Sequence, residues 1–191
     1  AEHAVRAHSE PVTLVSATTD GALMASAQSS DGDARVTLWK PSAAGDEWLC
    51  DFRPHAKAVT ALAFSHDGKR LCSVGLDAQA RAQLVVWDVA RLCGVLKVAR
   101  PHKPSTLKHK KASAKAPEVD LSYATVARQL SDFDVRAVRW SPYEADRLVS
   151  CGRENVRFWR LRHGHLPGCP AALHEYARDN EFLDLCFEPV Y

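Results

Sequence analysis

Apolar and polar residues alternate along this chain in short runs that end on turn residues, and the runs return in the same order. Val59-Thr60-Ala61-Leu62-Ala63-Phe64 leads to Asp67-Gly68, and 47 residues earlier Val12-Thr13-Leu14-Val15 leads to Asp20-Gly21 in register. Period-two alternation closed by Asp-Gly predicts a strand and then a tight turn. A second strand follows at Leu23-Met24-Ala25-Ser26 and at Arg70-Leu71-Cys72-Ser73, and a third ends on tryptophan, at Val36-Thr37-Leu38-Trp39 and Leu84-Val85-Val86-Trp87. A third copy reads Val135 to Pro142, Arg147 to Gly152 and Asn155 to Trp159, and Phe182 to Pro189 repeats the first strand once more. His8, His55 and His102 fall at the same 47-residue interval.

Short strands at this spacing predict an all-β fold, and a fixed period of this length marks a tandem array whose units bury their apolar faces only by stacking. Histidine before the first strand, a Ser-x-Gly-like end to the second and Leu84-Val85-Val86-Trp87-Asp88 closing the third resemble WD repeats. The resemblance covers nearly the whole chain and implies a partial β-propeller of about three four-stranded blades plus the first strand of a fourth. The blade units are expected at about 8–54, 55–101 and 134–177, with the next beginning near 182. It also implies a buried structural network of His55, Ser73, Asp77 and Trp87 in the second copy, with His8, Trp39 and Trp159 in the corresponding places of the others. The first copy has Lys40 and the third Arg160 where Asp88 stands, and the third has no histidine just before Val135. Those two blades are expected to carry incomplete networks.

Within that family, Arg147 to Leu161, then Gly164-His165-Leu166 and Phe182 to Phe187, are similar to the propellers of the echinoderm microtubule-associated protein-like group. Gly168 to Tyr176 resembles large multi-propeller proteins of centrioles and cilia. What the resemblance implies is a non-enzymatic scaffold of the cytoplasm and cytoskeleton, at the centriole, basal body or cilium. Its partners would be tubulin or microtubules and centriolar or ciliary scaffold proteins. The alternative is an adaptor propeller serving a ubiquitin-ligase or nuclear complex. Three blades are fewer than the four to eight of a closed ring, and the chain lacks an initiating methionine. A fragment of a larger protein is therefore expected.

The period breaks once. Between His102 and Val135 lie 32 residues, where His8 to Val12 and His55 to Val59 leave three, so a basic loop at 103–133 is expected between blades. Its first half, 103–117, carries Lys103, Lys108, Lys110, Lys111 and Lys115, two prolines and no acidic residue. That composition buries too little apolar surface to offset its ordering entropy, so a mobile segment is expected. The lysines are candidate contacts for an acidic partner such as a microtubule surface; the alternative is that they keep a long loop solvated. Val119 to Leu130 is apolar enough to order as a short helix or an edge strand.

Composition narrows the rest. A formal net charge of +2 does not suggest a global nucleic-acid or membrane role. The lysines have no interleaved aromatic residues for base stacking, so no nucleic acid is expected. No run approaches the roughly 18 apolar residues of a membrane span and no leader pattern opens the chain, so no membrane and a cytosolic setting are expected. Six cysteines without a Cys-x-x-Cys pair favour reduced thiols over a disulfide framework or a metal site. His163, His165 and Cys169 lack a fourth ligand at a usual spacing, so no metal is expected. His55, Ser73 and Asp77 match a nucleophilic triad by residue type, but no Gly-x-Ser-x-Gly elbow presents the serine. Neither a Gly-x-Gly-x-x-Gly nor a Gly-Lys-Ser/Thr sequence is present, and no cofactor or catalytic residue is expected. Of the five tryptophans, four end strands and read as core. Trp48 is placed on an outermost strand, either as an exposed partner anchor or packed over the adjacent blade.

Overall fold

Alternation of side chains across a strand gives each sheet two faces, and in this chain both faces of the central sheet are apolar. The structure is a computed structural model that describes residues 8–30, 33–43, 45–99 and 120–188. Three four-stranded antiparallel sheets follow one another along it. The first contains β1 (Val12–Ala17), β2 (Met24–Ser30), β3 (Asp33–Lys40) and β4 (Glu47–Phe52) in sequential order. The second is built from β5 (Ala58–Phe64), β6 (Arg70–Leu76), β7 (Ala82–Asp88) and β8 (Thr125–Leu130), with helix α1 (Val89–Ala99) following β7. The third holds β9 (Val135–Trp140), β10 (Arg147–Gly152), β11 (Asn155–Arg160) and the short β12 (Gly168–Pro170). These are the blades of a partial β-propeller.

The copies agree down to their irregularities. The register between first and second strands slips between Val12 and Leu14, between Val59 and Ala61, and between Cys151 and Gly152 on the partner strand of the third sheet. The turn after the first strand is also repeated. Thr18 Oγ1 donates to Asp20 Oδ1 at 2.6 Å and Ser65 Oγ to Asp67 Oδ1 at 2.7 Å, while Gly21 and Gly68 both sit at φ +67°. That left-handed conformation is why glycine follows aspartate in both turns.

Packing between the blades separates the two faces of the second sheet. Val59, Leu62, Phe64, Leu71, Val85 and Trp87 join a core with Val36, Leu38, Cys50 and Phe52 of the first blade. Ala61, Ala63, Cys72, Val74, Leu84 and Val86 join a second core with Val138, Trp140, Leu148 and Trp159 of the third. Specific contacts fix each seam. Phe52 meets Trp87 edge-on at 5.3 Å, and Trp140 Nε1 donates to Ala63 O at 3.1 Å. Ser29 Oγ donates to Val59 O and accepts from Val59 N.

One expected boundary is corrected. The fourth strand of the second blade is β8, which pairs with β7 from Gln83↔Leu130 to Trp87↔Thr125. The second blade therefore extends beyond 101 to residue 130, and the extra segment lies inside it, between its third and fourth strands, rather than between blades at 103–133. The chain leaves β7 as a helix, so the free edge of β7 is paired only when the chain returns. Residues 182–188 form no ladder strand among the described residues. They lie beside β9, with Phe182 N donating to Gly152 O, Arg139 paired to Asp184 at 2.7 Å and Tyr143 packed edge-on to Phe187 at 6.4 Å. Arg139 and Asp184 are 45 residues apart, about one repeat along, so the tail lies where a next first strand is expected.

Helix α1 closes the outer part of the first seam. Its inward stripe is Val89, Leu92 and Leu96, all buried, with Leu92 fully so, and the half-buried Cys93 lies on the same face. The 3-10 turn Ser122–Ala124 adds buried Ala124 to the same core before the chain enters β8. Removing the Leu92 side chain should leave a cavity and weaken local protection by about 2–4 kcal/mol. In native-state hydrogen exchange, Leu92→Ala should accelerate exchange in Glu47–Phe52 as well as in α1. Acceleration confined to the helix would show that it does not brace the first blade.

Candidate functional site

Each blade buries a serine at the same place in its second strand: Ser26, Ser73 and Ser150. A buried hydroxyl needs partners, and in the second blade it has two. His55 Nε2 lies 3.0 Å from Ser73 Oγ, and Trp87 Nε1 donates to the same oxygen at 2.9 Å. Three segments distant in sequence are thereby tied across one sheet. Gly75 completes the fit, since a Cβ there would come within 2.0 Å of Ala58 O and 2.6 Å of the His55 ring. Burial drives the His55 pKa down to about 4; a hydrogen bond with the Ser73 backbone opposes the shift and positive Arg128 adds to it. The imidazole is therefore neutral at ordinary pH.

The expected fourth member, Asp77, lies elsewhere. Its carboxylate accepts from Gln79 N, Arg81 N and Arg81 Nε at 2.8–2.9 Å, and these bonds, that of Arg81 N foremost, lower its pKa. It thus braces the β6–β7 turn, and His55 Nδ1 has no hydrogen-bond partner among the described residues. A carboxylate offered two backbone N–H groups and a guanidinium within its own turn is fully engaged locally.

The other blades solve the same problem differently. In the first, His8 Nε2 lies 2.7 Å from Ser26 Oγ and His8 Nδ1 lies 3.1 Å from Gln28 Oε1. Gln28 is fully buried and donates through Nε2 to Asp33 Oδ2 at 2.8 Å, and Asp33 in turn pairs with Arg35 and Arg53. Trp39 takes no part, its Nε1 being buried without a hydrogen-bond partner among the described residues. In the third blade Trp159 Nε1 donates to Ser150 Oγ at 2.8 Å, and Arg157, ion-paired with Asp132, lies over the rings of Trp159 and Phe133 at 5.4 and 5.5 Å. Gln28 and Asp33 were missed in the sequence because Gln28 stands where the second copy has Gly75, a position from which no polar partner for the histidine was expected. Their one signal is that Gln28 stands 47 residues before Gly75.

Ser73 and Ser150 are fully buried, and among the described residues no three His, Cys, Asp or Glu side chains cluster as metal ligands. What faces solvent is the periphery. Val89 N donates to Lys69 O, so α1 leaves the second blade beside the β5–β6 turn, and Arg91 lies over the exposed Tyr123 ring at 5.2 Å where the chain returns. The five candidate lysines, Lys103, Lys108, Lys110, Lys111 and Lys115, lie outside the described residues, as does His102. Trp48, on β4, is 36% exposed.

A family profile described as "WD domain, G-beta repeat" matches residues 47–82, running from the fourth strand of the first blade into the second. The WD repeat-containing protein 90 of Xenopus tropicalis is 32% identical over 95% of this chain. The fold is that of a partial WD-repeat β-propeller. The chain spans 8% of that relative's length and 7% of the Chlamydomonas reinhardtii protein named Centriole proteome protein 16, which is 28% identical over 87% of the chain. Among solved structures, a chain of the Mitotic Checkpoint Complex superposes with a TM-score of 0.61 at 19% identity, covering 94% of this chain and 43% of that one. Saccharomyces cerevisiae Sqt1 superposes at 0.58 and 12% identity, covering 88% of this chain and 37% of Sqt1. These structural likenesses concern the fold. WD-repeat propellers are in general non-enzymatic interaction scaffolds.

Ser73→Ala should orphan both His55 Nε2 and Trp87 Nε1 and cost about 2–4 kcal/mol, whereas Ser26→Ala removes one bond from a half-buried histidine and should cost about 1 kcal/mol. Hydrogen exchange in β6 and β2 measures the two. The lowered His55 pKa also predicts acid sensitivity. Between pH 6.5 and about 4 the unfolded imidazole binds a proton that the folded one refuses, so stability falls as pH falls through that window. The loss should be on the order of 3 kcal/mol and should be absent in His55→Gln.

Proposed function

We propose that this chain is a propeller segment of a non-enzymatic, microtubule-associated scaffold that supports the assembly and structure of centrioles or cilia, in the cytoplasm and its cytoskeleton. The observation that carries this reading is similarity over 95% of the chain to WD repeat-containing protein 90, together with a relative whose name places it in a centriole proteome. Physical support comes from the division of labour in the blades. The polar groups that could do chemistry are sealed between strands, while added sequence is confined to a connection on the rim. A stiff array with variable connections suits joining partners, not transforming them.

The expected partners are tubulin or microtubules and centriolar or ciliary scaffold proteins. Five lysines and no acidic residue within 103–117 suit the acidic surface of a microtubule, and their attraction should fade beyond about 8–10 Å at ordinary salt. Changing Lys103, Lys108, Lys110, Lys111 and Lys115 to glutamate in the full-length protein should lower microtubule co-sedimentation several-fold at low salt and by less at high salt. Unchanged binding would remove this segment from the mechanism. The tagged wild-type protein should stain centrioles or basal bodies; diffuse nuclear staining would overturn the reading and favour an adaptor propeller.

A further inference from the structure

Two cysteines face each other across the first seam. Cys50, on β4, is 1% exposed and belongs to the first blade; Cys93, on α1, is half-buried and belongs to the second. Their sulfurs are 3.8 Å apart although the residues lie 43 positions apart in sequence. Sequence spacing gave no hint of this pairing, which arises because α1 turns back from the end of β7 and lays Leu92, Cys93 and Leu96 toward β4. A disulfide requires sulfurs about 2.0 Å apart, so closure asks for an approach of about 1.8 Å between a side chain on a strand and one on a helix packed against it. No disulfide joins cysteines among the described residues.

We propose that Cys50 and Cys93 are a reversible thiol–disulfide pair that, when oxidised, locks the α1 strap to the first blade. The oxidant class is a hydroperoxide. Cys93, the more accessible sulfur, attacks the peroxide O–O bond as a thiolate, gaining one oxygen as sulfenic acid while the other leaves as water. The Cys50 sulfur then attacks the Cys93 sulfur, forming the S–S bond as the sulfenic oxygen leaves as a second water with the remaining thiol proton. The sum is two thiols and one hydrogen peroxide giving one disulfide and two waters, two electrons passing from the sulfurs to the peroxide. A dithiol reductant reverses it by exchange. The arrangement matches what such sensors need: one partly accessible sulfur beside a buried resolving one.

The locked state has a mechanical meaning. The helix joins β7 directly and packs on β4, so the bond would connect the outermost strand of one blade to the third strand of the next through a single helix. It would also fix the root of the segment that follows Ala99. Exposed Cys169 and Cys186 provide an internal comparison, because indiscriminate oxidation would reach them first.

The test is brief hydrogen peroxide treatment of the full-length protein, followed by alkylation and peptide mapping. The proposal expects a Cys50–Cys93 cross-linked peptide forming at least tenfold faster than any linkage to Cys169 or Cys186, and lost on dithiol treatment. Hydrogen exchange in Glu47–Phe52 and Val89–Ala99 should slow at least tenfold in the oxidised form. In Cys50→Ser, a sulfenic-acid probe should label Cys93; in Cys93→Ser, no cross-link should form. Absence of the cross-link in the wild-type protein overturns the proposal whatever the variants do. A cross-link that leaves exchange in both segments unchanged overturns the lock.

Discussion

A sheet with two apolar faces cannot stand by itself in water, and this constraint orders the whole molecule. The second blade sends alternate residues of β5, β6 and β7 into two different cores, one shared with each neighbour. At about 25 cal/mol per Å² of apolar surface buried, neither face could be left to solvent without forfeiting much of the blade's stability. The seam is thus the unit of stability rather than the blade. Sequence follows from it: Leu84-Val85-Val86-Trp87 is a continuous apolar run because both faces are covered, whereas β1, on the outer blade, leaves Val12 and Val15 exposed.

Stacking by apolar contact is tolerant of sliding, and buried polar groups remove the tolerance. Ser26, Ser73 and Ser150 hold the same place in three sheets, but each recruits different partners: His8 with Gln28, His55 with Trp87, and Trp159 alone. What recurs is the demand of a buried hydroxyl, and the residues that meet it vary. The Gly75 position shows the coupling between levels. A bare backbone there lets His55 lie flat against the second strand, while in the first blade Gln28 fills the same space and supplies an acceptor for the histidine instead.

Most of the architecture was legible in the chain because it rests on local rules. Period-two alternation located the first three strands of every blade, and Asp-Gly located the turns at Asp20 and Asp67. What failed depended on contacts distant in sequence. Val119 to Leu130 was expected to order as a short helix or an edge strand and holds a 3-10 turn and a strand. Its place in the second blade was not legible, because Thr125–Leu130 joins that sheet only through the unpaired edge that β7 offers 36 residues earlier. Asp77 has the right residue type near the right place, yet its own turn captures it before His55 can. The Ser73 and Trp87 pairing was visible through the repeat; Gln28 and Asp33 were not, since the second copy has Gly75 at the equivalent of Gln28, and Cys93 was not, since its partner lies on another blade.

The position of the insertion follows from the same physics. In the second blade the first and second strands feed both cores, so added chain there would break a seam. The connection from third to fourth strand lies at the rim, where lengthening a loop costs only about 0.6 kcal/mol for each doubling, provided that the fourth strand still finds its edge. Here the insertion offsets part of that cost itself: α1 grows straight from β7 and buries Val89, Leu92 and Leu96 against the neighbouring blade, and Ala124 does so on the way back. The two ends of the added segment are therefore seated in a core before the chain reaches β8. An insertion anchored in this way reinforces the seam it departs from, and its intervening part can vary in sequence without disturbing the stack.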